Sequence, residues 1–124
     1  MDPTKPGKII GIVGTRRRNG YNDYKLVEVE FFKVYKPGDW ICSGGCPTGG
    51  DRFAEKIAKS HGIPILTFYP DWKKFGRGAG IVRNTYIAYI SDVLIACVAE
   101  DRTGGTEDTI TKFEKHRKVK AILV

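Results

Sequence analysis

The chain has 124 residues, room for one compact domain spanning its whole length, and a domain of this size buries roughly two-thirds of the surface its unfolded chain exposes. Apolar residues make up 41% and charged residues 28%, a balance that argues against disorder, and the longest wholly apolar run, residues 93–99, falls far short of a bilayer crossing. Twenty-one Lys and Arg against fourteen Asp and Glu leave a formal +7, which favours anionic partners (nucleic acid, nucleotides or other phosphates) unless it only keeps a small protein soluble.

Residues 1–7 are polar and proline-rich, unlike a signal peptide, so a cytoplasmic protein without membrane contact is expected. The three cysteines, Cys42, Cys46 and Cys97, then read as reduced thiols. No second Cys or His pair completes a zinc set, and no metal or redox cofactor is indicated. Cys42 and Cys97 fall in apolar, strand-like runs and read as packing residues. Cys46 lies in a glycine-rich loop and could be accessible, but no His stands in an obvious position to activate it as a nucleophile.

Short apolar runs alternate with segments of helical period. Residues 8–14 (KIIGIVG) predict a strand buried on both faces. Residues 21–35 predict a helix through Tyr24, Val27, Phe31, Val34 and Tyr35, although residues 27–31 also alternate with period two. A turn at 36–39 leads to a second strand at 40–43. Asp51 is placed to cap a second helix with the stripe Phe53, Ala54, Ile57, Ala58 and His61, ended by Gly62. A third strand follows at 63–69, and then a loop over 70–80 whose three glycines make it a candidate lid. A third helix at 81–91, a fourth strand at 92–98, a second glycine-containing loop at 99–105, a fourth helix at 106–116 and a fifth strand at 118–124 complete the chain. Five strands alternating with four helices predict an α/β, Rossmann-like three-layer sandwich around a mainly parallel sheet of order 3-2-1-4-5.

That order places a site before any motif is considered. Ligands of doubly wound sheets bind at the carboxyl ends of the strands, beside the point where the order reverses. Three loops converge there: Gly14-Thr15-Arg16, the run from Gly44 and Gly45 to Gly49, Gly50 and Asp51, and the run from Asp101 through Gly104 and Gly105 to Thr106. Two of them run into helix N-termini, where backbone amides and the helix dipole suit an anion. The first glycine-rich run lacks the Lys-Ser/Thr of a Walker loop and the spacing of a dinucleotide fingerprint. It reads as a phosphate cradle in preference to a mere tight turn. Arg83 and Asn84, near the start of the third helix, can reach the same crevice. Glu107 and Asp108 either face the ligand or only complement the dipole of the last helix.

Together these residues resemble the SLOG superfamily, and within it the small stand-alone YspA, cpYpsA-related branch. Gly14-Thr15-Arg16 resembles the family's G-S-R, and Gly44-Gly45 through Gly49-Gly50-Asp51-Arg52-Phe53-Ala54 its G-G-x-x-G-x-D-R-x-A. Asp71-Trp72, Gly76, Ala79-Gly80 and Arg83-Asn84 resemble its D-W-x-x-x-G-x-x-A-G-x-x-R-N block, and Gly105-Thr106 its terminal G-T. The resemblance implies binding of a nucleotide or nucleotide-derived ligand, with a sensor role among its forms. Relatives of the LOG type cleave the N-glycosidic bond of nucleoside 5′-monophosphates with R-K-x-x-M and P-G-G-x-G-T-x-E. Arg83 matches the first Arg, whereas Asn84 and Ile87 replace the Lys and Met, and Asp108 stands in place of the final Glu. For a hydrolase, Asp108 and Arg83 are the implied catalytic pair, Asp108 stabilising an oxocarbenium-like transition state. The DNA-processing relatives imply a third reading, single-stranded nucleic-acid binding, which Arg16 to Arg18, Trp72 and Phe75 would serve. A homodimer through helices is also an expectation for so small a sheet domain.

Overall fold

The computed structural model describes residues 6–124, so most of the polar N-terminal stretch lies outside the described residues. Strands β1 (Ile9–Gly14), β2 (Trp40–Ser43), β3 (Ile65–Thr67), β4 (Val93–Cys97) and β5 (Ile122–Leu123) form one parallel sheet of order 3-2-1-4-5. Register follows the apolar pattern, with Ile10 beside Ile41 on one flank and Val93 on the other.

Helices α1 (Tyr21–Val34) and α2 (Gly50–His61) cover one face, and α4 (Ala79–Ile90) and α5 (Gly105–Arg117) the other. Alternation along β1 serves both layers. Ile10 and Ile12 pack with Tyr24, Val27, Phe31, Phe53 and Ile57, while Ile9 and Val13 pack with Ile87, Ile110 and Phe113. Burying each such side chain contributes about 1.5–3 kcal/mol. The α/β three-layer sandwich is the fold expected above.

Four local expectations are corrected. The 70–80 segment is not an irregular loop: the Asp71 carboxylate accepts from the Lys74 amide at 3.0 Å and caps one helical turn, α3 (Trp72–Phe75). A 3-10 turn over Gly76–Gly78 then delivers the chain into α4 two residues early. Asp51 does not cap α2; Gly49 does, at φ 75°, because the Asp51 carboxylate turns back to Ser43 and Cys46. β3 is shorter than read, since Pro64 has no N–H to give and β3 pairs only with β2. β5 is shorter too, because the Ala121 amide goes to the Glu114 carboxylate and Lys118, at φ 59°, ends α5.

Gly62 terminates α2 in the left-handed conformation, as its position predicts. His61 packs edge-on against Phe32, with centroids 4.8 Å apart, as a stripe residue would. Among the described residues, no helix is long and apolar enough to cross a membrane.

Candidate functional site

Order reverses between β1 and β4, and there the carboxyl ends of the two strands separate their loops. A cavity of about 340 Å³ opens at this point. Its floor is Val13 and Ile87, from the core beneath. Its walls come from the β1–α1 turn, the start of α2, the middle of α4 and the start of α5.

From the β1–α1 turn come Gly14, Thr15, Arg16 and Arg17. The Thr15 amide donates to the Cys97 carbonyl at 2.9 Å, carrying the sheet ladder one residue past β1. Arg16 is exposed and makes no ion pair or hydrogen bond with the described residues. Arg17 behaves differently. It donates to Asp101 at 2.9 Å and to both the carbonyl and the hydroxyl of Thr103, at 2.8 and 2.9 Å.

The glycine-rich run after β2 contributes Cys46 and Asp51 to the lining. Asp51 is buried, with its Oδ1 2.8 Å from the Ser43 hydroxyl and its Oδ2 accepting from the Cys46 amide at 3.1 Å. Gly44, Gly45, Gly49 and Gly50 frame the cavity without lining it. A Cβ on Gly50 would come within 2.2 Å of the Val13 carbonyl carbon, and one on Gly49 within 2.5 Å of the Thr15 carbonyl oxygen. These two glycines let the N-terminus of α2 lie directly on the end of β1. Asn19 locks that arrangement, accepting from the Gly49 amide at 2.8 Å and from the Arg52 side chain at 2.9 Å.

Arg83 and Asn84 both line the cavity, from the second turn of α4 and not the first, because that helix begins at Ala79. Arg83 donates to the Gly44 carbonyl through one terminal nitrogen and to Asn84 Oδ1 through Nε at 3.0 Å. Its other terminal nitrogen has no partner among the described residues. Asn84 donates to the Gly105 carbonyl at 3.3 Å. This pair therefore ties both glycine loops to one helix.

Gly104, Gly105 and Thr106 line the opposite wall. Gly104 sits at φ 109° as the N-cap of α5. Among the described residues, the amides of Gly105 and Thr106 find no acceptor, and neither do those of Gly50 and Asp51 at the start of α2. Glu107 turns away and forms a two-pronged pair with Arg102, at 2.8 Å for each contact. Asp108 lies outside the lining. Its carboxylate accepts from Lys112 at 3.0 Å and from Asn84 at 3.3 Å.

The thiols divide as their surroundings dictate. Burial pushes Cys42 up to about 12 against the pull of its 3.1 Å contact with Ser91, so it stays protonated and unreactive. Cys97 is also buried, and its thiol is raised by burial. Asp101 moves the other way: hydrogen bonds from Arg17 and then Thr103 bring its carboxyl down to about 2. Among the described residues, no cluster of three or more His, Cys, Asp or Glu could hold a metal ion.

Sequence reasoning overlooked Arg17, Thr103 and Asn19 as individual contributors. Arg17 stood only as part of a basic run, and nothing local marks it or Asn19. Both act because β1 and β4 are neighbours and because α2 starts on top of β1, which are facts of topology.

A parallel sheet of this order, with helices on both faces and a cavity at the reversal point, defines the class of Rossmann-like α/β domains. The YAcAr family profile, described as the YspA, cpYpsA-related SLOG family, matches residues 12–75, just over half the chain. The chain belongs to that family, as its motifs suggest. No curated protein and no solved structure matches it significantly.

Proposed function

We propose that the protein binds a nucleotide or nucleotide-derived phosphate ligand in the cavity at the carboxyl edge of the sheet. The observation that carries this reading is the meeting of two helix N-termini, with amides that find no acceptor among the described residues, and two under-used guanidinium groups around one cavity. Arg16 and the free nitrogen of Arg83 supply charge, and the starts of α2 and α5 supply oriented amides. Thr15, Asn84, Thr106 and the Asp51 carboxylate add the mixed donors and acceptors that a ribose or base requires. Family membership is compatible with such a ligand.

Binding is better supported than cleavage of the N-glycosidic bond. The Asp108 carboxylate is engaged by Lys112 and Asn84 and stands outside the lining. Asp for Glu also shortens the reach by one methylene, and a misplacement of about 1 Å can cost a hundredfold in rate.

Equilibrium dialysis of the purified protein against a mixed panel of nucleotides, with both chambers analysed by liquid chromatography, tests the reading. Retention of an intact nucleotide is the expected result. Release of free base and ribose phosphate, abolished by Asp108→Ala, would replace it with the hydrolase. If nothing is retained or cleaved, the cationic surface and the exposed Trp72 point to single-stranded nucleic acid instead.

A further inference from the structure

Arg16 and Arg17 are adjacent, both line the cavity, and yet they stand in opposite states. Arg16 has no protein partner among the described residues. Arg17 has committed all its nitrogens: Nε to the Thr15 hydroxyl at 3.4 Å, one terminal nitrogen to Asp101, and the other to Thr103 twice. These contacts join the β1–α1 turn to the β4–α5 loop, the two segments that separate at the mouth of the cavity. Arg17 also borders a second depression, lined by Arg18 and residues 98–102, so its side chain is a partition between the two.

The pairing lies in solvent, with side-chain exposures of 52% for Arg17 and 58% for Asp101. An exposed pair of this kind is weakly held and exchanges readily. The loop beyond it is not relaxed, since Arg102 sits at φ 55°, a left-handed conformation that an arginine seldom adopts. Asp101 takes only one hydrogen bond from Arg17, whereas a phosphate monoester carries more charge than a carboxylate and can pair with a guanidinium through two charge-assisted bonds.

We propose that Asp101 is a built-in competitor for the ligand's anion: it holds Arg17 across the mouth of the cavity, and an arriving phosphate takes Arg17 from it and frees the β4–α5 loop. This rests on the anion-binding reading of the cavity. The consequence is a ligand-operated latch, in which occupancy of the cavity is transmitted to a surface loop and the partition between the depressions opens. A ligand can drive the change only by its differential affinity for the two states, and the guanidinium handed over supplies it.

A double-mutant cycle decides the matter. Inorganic phosphate and adenosine 5′-monophosphate are titrated calorimetrically into the wild type, Asp101→Asn, Arg17→Ala and the double variant. Asp101→Asn is expected to bind about three- to tenfold tighter, because its Arg17 is no longer contested. The same substitution in the Arg17→Ala background is expected to change nothing. If the gain persists without Arg17, Asp101 acts only as a nearby negative charge and the latch is overturned while the binding site stands. Unchanged or weaker binding by Asp101→Asn overturns the latch as well. Absence of binding in all four proteins overturns the cavity reading and the latch with it.

Discussion

The two glycine-bearing loops that flank the cavity resemble each other in sequence and differ in how they are held. The β2–α2 loop is built into the core. Gly50 touches the backbone of β1 and Gly49 that of the turn after it, Gly44 leaves room for Arg83, and a buried Asp51 carboxylate fixes the turn from within. The β4–α5 loop has space around it: a Cβ on Gly104 or Gly105 would meet nothing nearer than 3.9 Å. It is fastened by side chains in solvent, Arg17 to Asp101 and Arg102 to Glu107. The lesson is that glycine has two meanings in the same motif. In one loop it is demanded by packing, and in the other by backbone conformation, Gly104 sitting at φ 109° with open space around it.

The contrast breaks most sharply under matched substitutions. Gly50→Ala drives a methyl group into the Val13–Gly14 backbone, and a loss of about 3 kcal/mol or more is expected, read as a lower urea midpoint. Gly105→Ala is expected to stay within about 1 kcal/mol of wild type, on the stabilising side, since alanine is the better helix former. Equal losses in the two variants would show that both loops are built alike.

Asp51→Ala probes the inner fastening. It leaves the Cys46 amide without its acceptor and removes one of the two oxygens near the Ser43 hydroxyl. A loss of about 1–3 kcal/mol is expected in the same unfolding measurement. A variant as stable as wild type would mean that the loop's shape comes from its glycines alone.

The smallest effect on stability, and the one most specific to function, belongs to Arg16. Arg16→Ala is expected to leave the urea midpoint unchanged, because the side chain is exposed and makes no ion pair with the described residues. The affinity for phosphate or nucleotide should nevertheless fall about tenfold, the worth of one charge-assisted contact. Undiminished affinity would take Arg16 out of the site and leave the cavity to Arg83 and the helix ends.

Much of the fold was legible because it is written in local periodicity. The run KIIGIVG can be buried on both faces only in a central parallel strand, and the stripe from Phe53 to His61 matches one face of a helix. Topology followed from the alternation of elements and from the handedness of crossovers. The short helix after β3 escaped notice because three glycines in the segment (Gly76, Gly78, Gly80) mask the cap that Asp71 provides. Asp51 was read as a cap because Asp before a helical stripe usually is one. Its true partners, Ser43 and Cys46, are brought to it by the turn itself.

The amino-acid sequence by itself determined the five strands, the four long helices and their order along the chain, because each depends on residues close together in sequence. Only the tertiary structure decided which residues of the three loops meet. It set Arg16 and Arg17 apart, turned Glu107 toward Arg102 and held Asp108 against Lys112. The physical reason is that a side chain's partner is chosen by distance across the fold and by competition among neighbouring charges, and neither is written in the spacing of a motif.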